Sequence, residues 1–168
     1  VLHTYDRPNV AYSPSQGEKV NIEPLVEYYR GVGFELKPSE FQVTVGGSEA
    51  ILFTLLAVAS PGDEVLIPEP FYTNYLTLAM VAGLTVAPLT TRAEDNFRLP
   101  PAEAIERRIS PLTKAILVNS PGNPTGTILS QGEMNTLADV CRRRGLFLIS
   151  DEVYREFVYD GASAISAL

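Results

Sequence analysis

The 168-residue chain has one cysteine, one histidine and fewer basic than acidic residues, and each scarcity removes a class of function. A single cysteine cannot close an intrachain disulfide, which suits a reducing compartment and gives a cytoplasmic expectation. The only histidine, His3, lies in a stretch that reads as irregular, so neither a histidine-based triad nor a metal site is expected. No segment reaches the ~20 uninterrupted apolar residues of a spanning helix. The opening VLHTYDRPNV lacks the charged-then-apolar layout of a signal peptide, so the chain reads as soluble and unexported. Thirteen Lys+Arg against twenty Asp+Glu leave a formal charge of −7, which offers no basic field to nucleic acid or an anionic bilayer. Any anionic ligand must therefore be held by local geometry. What is plentiful is core material: 45% of residues are hydrophobic, and a chain of this length buries roughly 70% of its unfolded surface.

Short apolar runs alternate with longer amphipathic stretches, separated by Pro/Gly punctuation, the pattern of βαβ units in an α/β fold with a mainly parallel sheet and three αβα layers. Asn21 is placed as the cap of a helix over 22–29, with Pro24 in its first turn and Gly31 and Gly33 ending it. Residues 41–45 alternate as a strand. A buried helix is expected over 49–59, then a strand at 64–68, a helix at 72–82 and a strand at 85–89. A helix over 100–109 ends on Arg107 and Arg108, matching the macrodipole. A continuous apolar strand, 115–119, runs into the turn-rich SPGNPTG. Ser130 and Glu133 form a capping-box pattern at the head of the next helix, whose buried face carries Met134, Leu137, Ala138 and Cys141. Arg142, Arg143, Arg144 and Gly145 end that helix, the arginines as a solvated, dipole-matched terminus. A buried strand at 146–150 then delivers Asp151, and Cys141 reads as a core residue.

In an open parallel sheet, ligands bind beyond the carboxyl ends of the strands, and three segments fall there. Gly46-Gly47-Ser48 joins a strand to a helix N-terminus, where main-chain N–H groups and the positive dipole end suit an anion; a plain turn with Ser48 as N-cap is the alternative. SPGNPTG is stiffened by two prolines and can present the Asn123 amide in a fixed direction, with a cis bond possible before Pro124. Asp151-Glu152-Val153-Tyr154 puts a carboxylate at the end of a very apolar strand, which is costly without a cation or donors. An acidic pair holding Mg²⁺ in a nucleotide hydrolase is one reading, but the chain has no G-x-x-x-x-G-K-S/T loop. The other reading sets one carboxylate against a heterocyclic nitrogen and keeps it protonated.

TVGGSEA, PEPFYTNY, NSPGNPTG and SDEVY, in that order, resemble the large domain of the class I/II aminotransferases, the pyridoxal-phosphate enzymes of fold type I, with an aspartate-aminotransferase-like subgroup as the nearest match. The resemblance covers about 12–159. It implies that Gly46, Gly47 and Ser48 bind the cofactor phosphate and that Tyr72 stacks on the pyridine ring. Asn123 and Tyr154 would donate to the phenolic oxygen, and Asp151 would pair with the ring nitrogen. Tyr12, in YSPSQG, is similar to a family tyrosine that reaches the neighbouring subunit's phosphate in a homodimer. The implied substrates are an amino acid and a 2-oxo acid.

The family also places a Schiff-base lysine downstream of the aspartate, whereas Lys19, Lys37 and Lys114 all precede Asp151. Residues 1–168 are accordingly expected to be one incomplete cofactor-binding large domain. The catalytic lysine segment, the N-terminal arm and the C-terminal small domain would lie outside it, and the chain would be inactive alone and prone to associate through exposed apolar surface. C–S lyase, decarboxylase and cyclopropane-forming chemistry share the scaffold. A non-catalytic or degenerate binding domain is the alternative from a different class.

Overall fold

The computed structural model describes residues 12–168, so His3 and Pro8 lie outside the described residues. The contact pattern divides the chain between Val45 and Gly46 into two units.

In the first unit, helix α1 spans Lys19–Gly31 and buries Ile22 and Val26. It begins at Lys19 rather than after Asn21, because backbone bonds do the capping: the Asn21 and Ile22 amides both donate to the Glu18 carbonyl. Pro24 therefore sits inside the helix. The expected strand at 41–45 does not form. Its alternation is met by a loop instead of a neighbouring strand: the Val43 amide donates to the Gln16 carbonyl at 2.9 Å. The Gln16 side chain bonds the Pro38 and Phe41 carbonyls, both at 2.7 Å.

The second unit carries an open four-stranded sheet, β1 (Glu64–Glu69), β2 (Thr85–Thr90), β3 (Thr113–Asn119) and β4 (Phe147–Asp151), in the order β2-β1-β3-β4. Every pairing is parallel. Four helices accompany it: α2 (Gly47–Val58), α3 (Asn74–Val81), α4 (Ala102–Arg108) and α5 (Gln131–Arg144). Successive strand residues point to opposite faces, and the two cores follow that period of two. Val65, Ile67, Ala115, Leu117 and Ile149 pack against α2 and α3, while Leu66, Ala87, Leu89, Ile116 and Val118 pack against α4 and α5. Helices thus cover both faces, as expected for near-continuous apolar parallel strands. Because the chain steps outward from β1 to β2 and then returns to β3, the crevice opens where strand order reverses.

Several boundaries differ from the sequence expectation by a residue or two, as helix ends do when caps are weak. The helix expected over 72–82 starts only at Asn74, and that expected from Pro100 starts at Ala102. Helix α2 buries only one face, Ile51 and Leu55; Phe53 and Leu56 are exposed. The buried face of α5 includes Val140, which the sequence reading omitted, with Ala138 only half-buried. Cys141 is buried, and that burial pushes its thiol up to about 11, consistent with an inert core residue. Arg142, Arg143 and Arg144 are not merely solvated: Arg142 pairs with Asp139, while Arg143 and Arg144 clamp Glu106 and join α5 to α4. Among the described residues no helix is long and apolar enough to cross a membrane.

The capping box at the head of α5 forms as expected. The Glu133 amide donates to Ser130 Oγ, and the Glu133 carboxylate accepts from the Ser130 amide at 2.8 Å, from the Leu99 amide at 3.0 Å and from Arg98 at 3.0 Å. Burial opposes the charge on Glu133, but the Ser130 and Leu99 amides, the Ser130 hydroxyl and Arg98 outweigh it and hold the carboxyl below the usual glutamate range. A carboxyl depressed in the folded state stabilises fully above its unfolded pKa and loses that contribution as pH falls through the folded value. Glu133→Gln is expected to cost about 1–2 kcal/mol in urea unfolding at pH 7. The difference from wild type should shrink below about pH 4, and a gap constant across that range would count against the assignment.

Candidate active site

The β3–β4 register pairs Asn119 with Asp151, so both strands present a polar residue at the same level of the crest. Asn119 then works as a clamp. Its Nδ2 donates to the Asp151 carbonyl at 2.9 Å, and its Oδ1 accepts from the Asn123 amide at 2.7 Å. The loop 120–126 closes on itself through Gly122 N–H to the Thr127 carbonyl and Gly126 N–H to the Gly122 carbonyl. Gly122 sits in a crowded place, since a Cβ there would lie 3.0 Å from Thr125 Oγ1 and 3.2 Å from the Asn119 carbonyl. The buried Ser120 hydroxyl accepts from the Leu129 amide and pins the loop's return. The Asn123–Pro124 bond is cis, as are Ser120–Pro121 and Glu69–Pro70.

Asp151 is half-buried, and each of its carboxylate oxygens has a donor. The Tyr75 hydroxyl donates to Oδ2 at 2.5 Å, and the Val153 amide donates to Oδ1 at 3.1 Å. Tyr75 is 2% exposed, with Phe71 stacked on its ring and Tyr72 against its edge. Burial first, then the bond and charge of Asp151, raise the phenol far above the ordinary tyrosine range, so it keeps its proton. Glu152 faces elsewhere: it accepts from Ser150, Arg155, Ser166 and the Ala167 amide. The acidic pair therefore does not aim two carboxylates at one point, which removes the geometric basis for a paired-carboxylate Mg²⁺ site.

Opposite these strand ends lies the first turn of α2. Gly46 is its N-cap, with no side-chain cap, and Gly47 and Ser48 occupy positions where the helix supplies no carbonyl acceptor. Ser48 is not the N-cap; its hydroxyl accepts from Asn74 Nδ2 at 3.2 Å, which ties the start of α2 to the start of α3. Gly46 is extended at φ 178, a conformation open to any residue, and a Cβ on Gly46 or Gly47 would meet nothing within 4 Å among the described residues. Neither strain nor packing inside the chain calls for glycine there.

These pieces enclose one cleft of about 190 Å³. One wall is Gly47, Ser48 and Ile51; a second is Tyr72, Tyr75 and Leu78; the strand-end side is Asn119, Asn123, Asp151, Val153 and Tyr154. Six of the candidate residues, Gly47, Ser48, Tyr72, Asn123, Asp151 and Tyr154, thus meet in one place, and Gly46 immediately precedes them. Asn123 Nδ2 lies 3.5 Å from the Tyr154 hydroxyl. Tyr12 is fully exposed, and among the described residues those lining the cleft belong to the second unit. The sequence reading missed Asn119, Asn74 and Tyr75. Asn119 had a readable signal, a polar residue closing an apolar parallel strand; Asn74 and Tyr75 had none, because their partners lie 26 and 76 residues away.

A parallel sheet with helices on both faces has its cleft at the crest of the strands, where open α/β sheets bind ligands, and here that cleft combines a helix N-terminus, an aromatic wall and one carboxylate. The chain belongs to the class I and II aminotransferase family, whose model matches residues 4–168. It is 36% identical over 152 residues to a probable aspartate/prephenate aminotransferase of Thermus aquaticus, covering 90% of this chain and 39% of that protein. Among solved structures, aspartate aminotransferase from Thermus thermophilus with maleate superimposes with a TM-score of 0.87 at 33% identity, over 98% of this chain and 43% of that one. An aromatic aminotransferase from Pyrococcus horikoshii gives 0.89 at 33% identity, over 99% and 45%. The chain spans about two fifths of the length of such relatives.

Asn119→Ala removes both clamp bonds and is expected to destabilise the chain by about 1–3 kcal/mol. Asn123→Ala, whose side chain makes only the long contact to Tyr154, is expected to cost well under half of that. Chemical denaturation of the two variants checks this, and equal losses would refute the clamp.

Proposed function

We propose that the second unit seats pyridoxal 5′-phosphate for an aminotransferase that moves an amino group between an amino acid and a 2-oxo acid. The observation that supports this reading is the convergence of Gly47, Asn123 and Asp151 on one cleft. The donor set fits the group. The α2 N-terminus suits a phosphate, and the glycines leave beside it a space that none of the described residues fills. Asp151 suits a cationic ring nitrogen, Asn123 and Tyr154 suit a phenolic oxygen, and Tyr72 offers an aromatic face. When bound, the protonated pyridine ring supplies the electron sink that makes an amino acid's Cα–H bond labile.

The chain's own residues do the rest. Gly47 and Ser48, following Gly46, would hold the phosphate by main-chain N–H groups and the Ser48 hydroxyl. Asp151 would keep the proton on the ring nitrogen by charge pairing, each pKa unit corresponding to ~1.4 kcal/mol. Asn123 and Tyr154 would set electron density at the phenolic oxygen, and Tyr72 would fix the ring plane. Tyr12 is assigned to a phosphate contact in a neighbouring subunit.

Among the described residues no lysine lines this cleft. Lys114 lies near the opposite end of β3, paired with Asp63 at 3.8 Å. The chain by itself therefore binds the cofactor weakly and without a covalent bond, and does not turn over. Helices α2 and α3, which pack side by side, leave Phe53, Leu56, Leu76, Met80 and Val81 exposed. That surface supports association, in keeping with a homodimeric parent.

Titration with pyridoxal phosphate is expected to change the visible absorbance reversibly, and Asp151→Asn to weaken binding about tenfold. Borohydride should leave no pyridoxyl adduct on any one lysine. Absence of an absorbance change, or equal binding by the variant, would sink the reading. In sedimentation the chain is expected to self-associate with rising concentration; a strict monomer at high concentration would refute that part.

A further inference from the structure

We propose that Tyr75 is a positioning residue for Asp151, its hydroxyl fixing the carboxylate so that the remaining lone pairs stay aimed at a cationic ring nitrogen in the cleft. The inference rests on the cofactor reading above and adds a residue to it. Tyr75 donates to Oδ2 and the Val153 amide to Oδ1, at 2.5 and 3.1 Å. Each carboxylate oxygen offers about two lone-pair sites, so both keep capacity for a ligand. The Val153 bond is local, two residues away, and moves with the strand end. The Tyr75 bond comes from α3, 76 residues earlier, and is the one that ties the carboxylate to the opposite wall.

Tyr75 is itself immobilised. It is 2% exposed, with Phe71 stacked on its ring and Tyr72 against its edge. The chemistry of the donor also matters. A lysine or arginine at this position would neutralise Asp151 and repel a cationic ring, whereas a neutral phenol orients the carboxylate and leaves its charge for the ligand. Burial keeps the phenol protonated, so it remains a donor. A preorganised carboxylate loses little by reorienting when the cation arrives.

The test uses the chain, Tyr75→Phe, Tyr75→His, Asp151→Asn and the Tyr75→Phe/Asp151→Asn double variant. Each is titrated with pyridoxal 5′-phosphate and with the analogue carrying CH in place of the ring nitrogen, followed by visible absorbance. Wild type is expected to prefer the nitrogen ring about tenfold. Tyr75→Phe should lose most of that preference, by about three- to fivefold, its affinity for the nitrogen ring falling further than that for the CH analogue. Tyr75→His, which keeps a neutral N–H donor, should retain more of it. Asp151→Asn should abolish the preference, and adding Tyr75→Phe should change nothing further. A Tyr75→Phe chain that keeps the full preference, or that loses affinity for both ligands equally, overturns the proposal and leaves the cofactor reading standing. Wild type that shows no preference, or no binding at millimolar cofactor, overturns the reading and the proposal with it.

Discussion

The β3–β4 register is the constraint on which the site depends. β3 is buried along most of its length, and β4 turns Ile149 into one core and Leu148 toward the other, so a one-residue slip would exchange the faces that these side chains pack against. That penalty, paired with the Asn119 bond to the Asp151 carbonyl, sets Asp151 at the lip of the sheet and the loop 120–126 beside it. A carboxylate at the end of so apolar a strand would be expensive if left bare. Here it is met by a buried phenol and a main-chain amide, and it stays available to a third partner.

The cleft divides its labour among elements that are remote in sequence. The start of α2 provides a positive dipole end and two glycines beside which a Cβ would meet nothing among the described residues. Helix α3 provides the aromatic wall, and the crest of β3 and β4 provides amide, carboxylate and hydroxyl. The helix N-terminus at one end suits an anion, and the Asp151 carboxylate at the other suits a cation. The outward turn of Glu152, held by four partners of its own, leaves Asp151 alone at that position.

Much of this was legible in the chain. Punctuated apolar runs marked all four parallel strands, and the Ser130/Glu133 pair marked the head of α5 because a capping box is a local device. Gly47, Ser48, Tyr72, Asn123, Asp151 and Tyr154 were singled out by short motifs that resemble those of a known family, and all six line one cleft. The expected strand at 41–45 failed for the complementary reason: alternation shows which side chains could be buried, not whether a neighbour pairs with the backbone. Gln16 and its loop took that place. The start of α1 was misjudged because Glu18 caps through its carbonyl, a role that leaves no side-chain signature.

Periodicity and punctuation were enough for the α/β class and the positions of the four strands, since burial period and turn residues are local signals, while the residues at the strand tips were named through motifs shared with a known family. Tyr75 as the partner of Asp151, Asn74 as the partner of Ser48, the Asn119 clamp and the separate anchoring of Glu152 became visible only in three dimensions. Helix on sheet, helix on helix, strand on strand and the returning C-terminal segment each bring together groups with no regular spacing in the sequence.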